Sequence, residues 1–161
     1  MNMKIDSINQ KILRVVQTDA KHPIAKIAEH ANISTSPCHK RIKQLENDKV
    51  ILNYAANIDL NKVCDHVMFV AEISLSSHST AAFKEFENLL EHEQTMIECY
   101  EVSGAFDYLA RFICRDVDDF KEVTDRLMSN ASIKNISSTC ILSKVKKFSG
   151  YPLKHLLKHE D

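Results

Sequence analysis

The stretch from Ser34 to Lys43 reads STSPCHKRIK, and its residue types can engage a polyanion. Small hydroxyls open it at Ser34, Thr35 and Ser36, an imidazole follows at His39, and cations stand at Lys40, Arg41 and Lys43. Hydroxyl, imidazole and ammonium groups can reach base edges, while Lys and Arg neutralise phosphates. That chemistry needs one face of a rigid rod. On a helix turning about 100° per residue, Cys38, Ile42 and Leu45 make an apolar stripe. Ser36, His39, Lys40 and Lys43 then lie opposite, with Arg41 on the flank. A second candidate lies in VSGAFDYLARF, residues 102–112. The chain holds only two glycines, Gly104 and Gly150, and one of them sits here between two strand-like runs.

The elements that must position the cationic face come first in the chain. Ile5, Ile8, Ile12 and Val15 recur at helical spacing, with Asp6 and Ser7 at the start. Pro23 fits the first turn of a second helix, whose buried face is Ile24, Ile27, Ala28 and Ala31. After Asn32-Ile33-Ser34, Ser34 is a favoured N-cap for a third helix, and Pro37 suits its first turn. A lone cationic helix is ordinarily a solvated face. A short helix, a three-residue turn and a capped helix in succession instead make a helix-turn-helix, whose second helix reads duplex DNA.

The run ISTSPCHKRIKQLENDKVILNYAANID resembles the recognition helix and following strand of the Lrp/AsnC family, the feast/famine transcription regulators. Ser34, Ser36, Pro37, Arg41, Ile42, Leu45 and Glu46 meet its Ser-x-Ser-Pro-x-x-x-Arg-Ile-x-x-Leu-Glu pattern. One departure is at the helix end, where Lys49 precedes Val50 and Ile51 in place of the family's glycine. Asn47 is expected to take the left-handed cap instead. ILNYAANIDL alternates loosely and reads as an extended strand.

Beyond residue 66 the period changes to two. Val67 to Leu75 reads as a strand, Phe83, Phe86, Leu89 and Leu90 as a helix, and Met96 to Val102 with Asp107 to Cys114 as a hairpin. Val117, Phe120, Val123 and Leu127 make another helix, and Ile136 to Val145 a last strand. The order βαββαβ is ferredoxin-like. The expected fold is therefore α+β. A winged helix-turn-helix domain (residues 1–51) is joined by a linker strand (52–66) to a ferredoxin-like effector-binding and oligomerisation domain (67–161). Two helices cover one sheet face, so a second subunit is expected on the other. The resemblance implies dimers assembled into rings of eight.

The family's Gly-x-x-Asp-Tyr signature appears as Gly104, Ala105, Phe106, Asp107 and Tyr108. The resemblance implies an amino-acid effector site at this hairpin, between dimers. Asp107 would meet the ligand's ammonium group, and turn N–H groups its carboxylate. Gly104 would permit both the turn and close approach. Ser138 and Thr139 would add hydroxyls, and Met96, Val102 and Phe106 apolar surface for a side chain such as leucine or methionine. Many relatives carry an acidic residue where Ala105 stands. Without the resemblance, Gly104 simply allows the turn and Asp107 caps it.

Net charge is −1 over 161 residues, but it is unevenly spread. Residues 1–60 carry nine Lys and Arg against six Asp and Glu, a net of +3, which leaves −4 for the remainder. That asymmetry suits two modules with different partners, double-stranded DNA being the first. The five cysteines form no C-x-x-C pair, so neither a disulfide framework nor a zinc site is expected. His155 and His159, four apart, lack a third ligand, so no metal is expected. Glycine-rich phosphate loops are absent, Cys38 and His39 diverge on their helix, and nothing pairs Glu98 or Glu101 for acid–base work. The chain is read as a non-enzymatic regulator without a cofactor. With no apolar run of about 20 residues and no signal core at MNMKIDSINQ, it is expected in the cytoplasm. The alternative reading is an effector-independent architectural protein that organises DNA.

Overall fold

Asp6 opens the first helix in a computed structural model that describes residues 5–130 and 132–157. Its carboxylate accepts the Asn9 N–H at 2.7 Å and so caps α1 (Ser7–Val16). Pro23 is the N-cap of α2 (Ile24–Ala31), one position before the expected first turn. Ser34 is the N-cap of α3 (Thr35–Asn47), although its hydroxyl makes no capping bond. Ile12, Ala31, Cys38 and Leu45, each no more than 1% exposed, close the three helices around one core. At roughly 1.5–3 kcal/mol for each fully buried large aliphatic side chain, this contact outweighs any helix propensity.

The end of α3 departs from expectation. Asn47 stays helical, and Lys49 takes the left-handed conformation with φ 58°. Lys49 N–H donates to Glu46 O, and Val50 N–H to Leu45 O at 2.9 Å, a complete Schellman motif. Val50 and Ile51 pack back onto the core, which fixes the cap whatever residue occupies it. The expected strand over 52–66 does not form. Residues 52–59 pair in no sheet among the described residues, and a 3₁₀ turn follows at Leu60–Lys62. Alternation alone makes a strand only where a neighbour supplies the ladder.

The chain divides into two compact units. One joins residues 1–57 to 146–161; the other is 58–145. The C-terminal segment, read from sequence as part of the second domain, thus belongs with the helices. Its short α6 (Leu153–Leu156) follows a contact in which the Gln17 side-chain amide pairs with the Tyr151 backbone. Tyr151 N–H donates to Gln17 Oε1 at 2.9 Å, and Gln17 Nε2 donates to Tyr151 O at 3.1 Å. Gly150 adopts φ 98°, and a Cβ there would lie 2.7 Å from the Gln17 side chain. Glycine is required both for its conformation and for the approach. His155 stands on α6, whereas His159 lies outside the described residues.

In the second unit β1 (Val67–Leu75), α4 (Thr80–Leu90), β2 (Met96–Glu101), β3 (Tyr108–Cys114), α5 (Val117–Met128) and β4 (Ile133–Ile141) follow the expected order. The sheet runs β2-β3-β1-β4, antiparallel throughout. β4 begins three residues earlier than expected and ends four earlier. Phe69, Ala71, Ile73, Tyr108, Ala110 and Phe112 point to the helices, and Phe69 stacks on Phe120 with centroids 3.8 Å apart. By the strand alternation, Met68, Val70, Leu109 and Ile113 face the other way, beside an Arg111–Glu98 ion pair at 2.6 Å.

Lys49→Gly is expected to raise the stability of the helical unit by about 1 kcal/mol, because a side chain in the left-handed region costs about that much. Urea unfolding followed by circular dichroism measures it; an unchanged midpoint would mean that the Lys49 conformation carries no strain.

Candidate functional site

The inner stripe of α3 leaves its other side open. Cys38 and Leu45 are fully buried and Ile42 nearly so, while Ser34, Thr35, Ser36, His39, Lys40 and Lys43 are exposed. All six candidates therefore lie on accessible surface. Lys43 Nζ is 3.0 Å from Glu46 Oε2, an exposed pair that competes weakly with other anions. Glu46 also accepts the Tyr54 hydroxyl at 2.8 Å. Burial first, and the Glu46 carboxylate second, push the Tyr54 phenol up to about 12.

Arg41 behaves differently from the rest of that group. Its Nη1 reaches Asp6 Oδ2 at 2.6 Å and Asn9 Oδ1 at 3.0 Å, so the guanidinium ties α3 to the start of α1. Desolvation pushes the Asp6 carboxyl up, but the Asn9 N–H and the Arg41 guanidinium outweigh it and hold it below its ordinary 3.8. Sequence placed Arg41 on the flank; only the fold shows that its partner is 35 residues away.

The hairpin between β2 and β3 is likewise tied inward. Asp107 N–H donates to Ile73 O at 2.9 Å, and Val102 N–H donates to Asp107 O. Asp107 Oδ2 accepts the Leu75 N–H at 2.7 Å, and Oδ1 lies 3.0 Å from His78 Nε2. Asp107 was expected to meet a ligand's ammonium group. In the fold its carboxylate also latches the turn onto the end of β1, one oxygen toward the Leu75 N–H and the other toward His78. His78 was not singled out from sequence; the SSHST break gave no signal beyond a turn. Gly104 adopts φ 147°, and a Cβ there would meet nothing within 4 Å, so conformation alone requires it. Ala105 is exposed, and Val102 and Phe106 are half-buried. The peptide N–H groups of Ser103 to Phe106 donate to no acceptor among the described residues.

The other effector candidates do not gather here within one chain. Tyr108 is 3% exposed beneath α4, its ring 4.5 Å from Phe86, so it is a core residue. Its hydroxyl has no partner among the described residues, and burial, ahead of nearby carboxylates, pushes it up to about 12. Met96 opens β2 at the end away from the turn and packs against the core. Ser138 pairs with Ala71 and Thr139 with Val70, so the two hydroxyls point to opposite faces of β4, which β1 separates from the hairpin.

A three-helix unit with an open cationic third helix, joined to an antiparallel βαββαβ unit with a bare sheet face, is the layout of a DNA-binding regulator with a separate sensing domain. Residues 5–46 match the AsnC-type helix-turn-helix domain, and residues 68–151 the Lrp/AsnC ligand binding domain. The chain belongs to the Lrp/AsnC family of transcriptional regulators. The transcriptional regulatory protein DoeX of Halomonas elongata is 30% identical over 146 residues, 90% of this chain and 92% of the relative. The DNA-binding transcriptional activator DecR of Escherichia coli is 25% identical, covering 92% and 99%. An AsnC family regulator from Agrobacterium tumefaciens superposes with TM-score 0.86 at 31% identity, covering 94% and 99%. A Neisseria meningitidis regulator solved with L-Met gives 0.88 at 27%, covering 96% and 100%. None of the helices among the described residues is long and apolar enough to cross a membrane.

Removing the Asp6 cap and ion pair by Asp6→Ala is expected to cost about 1 kcal/mol at neutral pH. A folded carboxyl held below 3.8 stabilises above that value and loses its effect as pH falls through its lowered folded value. The melting temperatures of wild type and variant should converge once the pH falls below that lowered value; a gap that persists there rules out the ionised carboxylate as the source. Asp107→Ala leaves the Leu75 N–H without its acceptor and should cost about 1–3 kcal/mol. Faster amide hydrogen exchange at Leu75 and through the 103–107 turn would register it, and unaltered exchange would show the latch to be idle.

Proposed function

We propose that α3 enters the major groove of double-stranded DNA, with Ser34, Thr35, Ser36, His39, Lys40 and Lys43 meeting bases and phosphates. An amino acid bound at the 102–107 hairpin shifts the equilibrium among assemblies that present these helices. The observation that carries this reading is the buried Cys38–Ile42–Leu45 stripe, which leaves the cationic side of α3 unobstructed. Arg41 supports the helix from behind through Asp6.

The four unpartnered N–H groups at Ser103 to Phe106 suit an amino acid's carboxylate. Leucine or methionine is the proposed class, supported by the Neisseria relative solved with L-Met. Because Asp107 is engaged, the ammonium group falls to turn carbonyls and to a neighbouring subunit. Met96, Ser138 and Thr139 then contribute only if a second copy brings them to the turn. The bare sheet face supports a homodimer, and the octamer follows the family resemblance. The protein works in the cytoplasm without a cofactor and catalyses no reaction.

The ligand acts only through its differential affinity for the assemblies it meets. A genomic fragment selected by gel shift provides the probe for anisotropy titrations at several salt concentrations. Lys40→Ala with Lys43→Ala should lower the salt slope by about one per lost phosphate contact, or cost about 1–3 kcal/mol at one base position. Unchanged affinity and slope would remove α3 from the interface. Against the twenty amino acids at millimolar concentration, the effector should raise the melting temperature, by about 2.7 kcal/mol of stabilisation at 100 times its Kd. No shift from any of them would favour the architectural reading.

A further inference from the structure

A second cationic surface of the helical unit lies along α1. A groove of about 610 Å3 runs between α1 and the 149–154 segment, lined by Lys11, Arg14, His22, His30, Tyr151 and Lys154 among others. Among the described residues the lining contains no carboxylate. The side chains of Lys11, Arg14 and Lys154 have no ion-pair partner among the described residues; of the other lining residues, His22 lies 3.5 Å from Asp19. Three unpaired cations around one hollow repel one another, so their arrangement favours an anion.

The wall opposite α1 is built rather than draped. The two hydrogen bonds of Gln17 to Tyr151 fasten it, and Gly150 permits their approach. Phe148 packs edge-on to Tyr151 at 5.1 Å, stiffening the same stretch. Lys154 follows on α6 and completes the cationic lining. The groove also continues toward α3. His22 also lines a second hollow of about 210 Å3 whose other walls include His39, the paired Lys43 and Glu46, and apolar residues such as Ile24 and Ile27. The two hollows share His22, which stands between His39 on α3 and the Arg14, Lys11 and Lys154 cations.

We propose that this groove binds phosphate groups of the DNA flanking the segment held by α3, with the C-terminal strap serving as part of the DNA-binding surface. The proposal rests on the reading of α3 given above. It assigns Lys11, Arg14 and Lys154 to sequence-independent backbone contacts and leaves base recognition to α3. Its continuity with the α3 surface favours DNA over a free phosphate compound as the source of the anion.

The test compares Lys11→Ala/Arg14→Ala/Lys154→Ala with Lys40→Ala/Lys43→Ala in the full-length protein, each checked for folding by thermal unfolding. The triple variant should weaken binding to every duplex alike, flatten the salt slope by about two to three, and shorten the nuclease footprint without moving its centre. Gly150→Val, which displaces the strap but retains Lys11 and Arg14, should flatten the slope by about one. A triple variant with wild-type slope and footprint, beside a weakened Lys40/Lys43 variant, would overturn the groove and leave the α3 reading standing. Loss in the triple variant with none in the Lys40/Lys43 variant would support the groove and sink the α3 reading instead. Pyrophosphate supplies the remaining arm. If it raises the melting temperature of wild type but not of the triple variant while the DNA slope stays unchanged, the groove takes a free phosphate and the DNA assignment falls.

Discussion

What α3 offers to a partner follows from the burial of Cys38, Ile42 and Leu45. A helix has one angular degree of freedom about its own axis, and these side chains fix it. Rotating α3 to hide His39 or Lys40 would expose the stripe, at about 25 cal/mol per Å2 of apolar surface returned to water. The Arg41 bond to Asp6 fixes the same rotation from the flank and reaches the cap of α1, so one carboxylate both starts a helix and steadies its neighbour. Electrostatics then works on a face that packing has already chosen.

The hairpin shows the same order of causes. Alternation places Tyr108, Ala110, Phe112 and Cys114 under the helices, and residue 107 consequently falls where its side chain can reach the end of β1. The turn is held by Asp107 at one point and relieved by Gly104 at another, leaving four peptide N–H groups without an acceptor among the described residues. The two glycines serve distinct needs. Gly104 stands in open space and supplies only a backbone conformation, while Gly150 also makes room for Gln17. A chain this sparing with glycine retains it where a torsion or an approach demands it.

Helices and most strands were legible because their burial is periodic. Ile12, Ala31 and Leu45, or Phe69, Ala71 and Ile73, announce their faces without reference to anything distant. The readings that failed needed information held elsewhere in the chain. Lys49 adopts a conformation that local preference assigns to Asn47, because Val50 and Ile51 must return to the core. Residues 52–59 alternate like a strand but have no ladder partner among the described residues. The partners of Arg41 and Asp107 lie 35 and 32 residues away, and no spacing rule announces them. The placement of Tyr108 and the divergence of Ser138 and Thr139 were available from strand parity. Adjacent residues on a strand cannot share a face, and grouping them by chemistry alone overlooked it.

The latch also bears on how a ligand at the turn would be felt. Asp107 is joined to both Ile73 O and Leu75 N–H, and β1 pairs along its length with β3 on one side and β4 on the other. A force applied at residues 103–106 therefore acts on the central strand pair rather than on a free loop. The opposite face of those same strands carries the half-buried Met68, Val70, Leu109 and Ile113. The element that shapes the hairpin is thus the element whose other side is proposed to meet another subunit. Coupling between ligand and assembly needs no long relay: a change in the tilt or twist of β1 alters both surfaces at once, since a strand's two faces are the alternate side chains of one backbone.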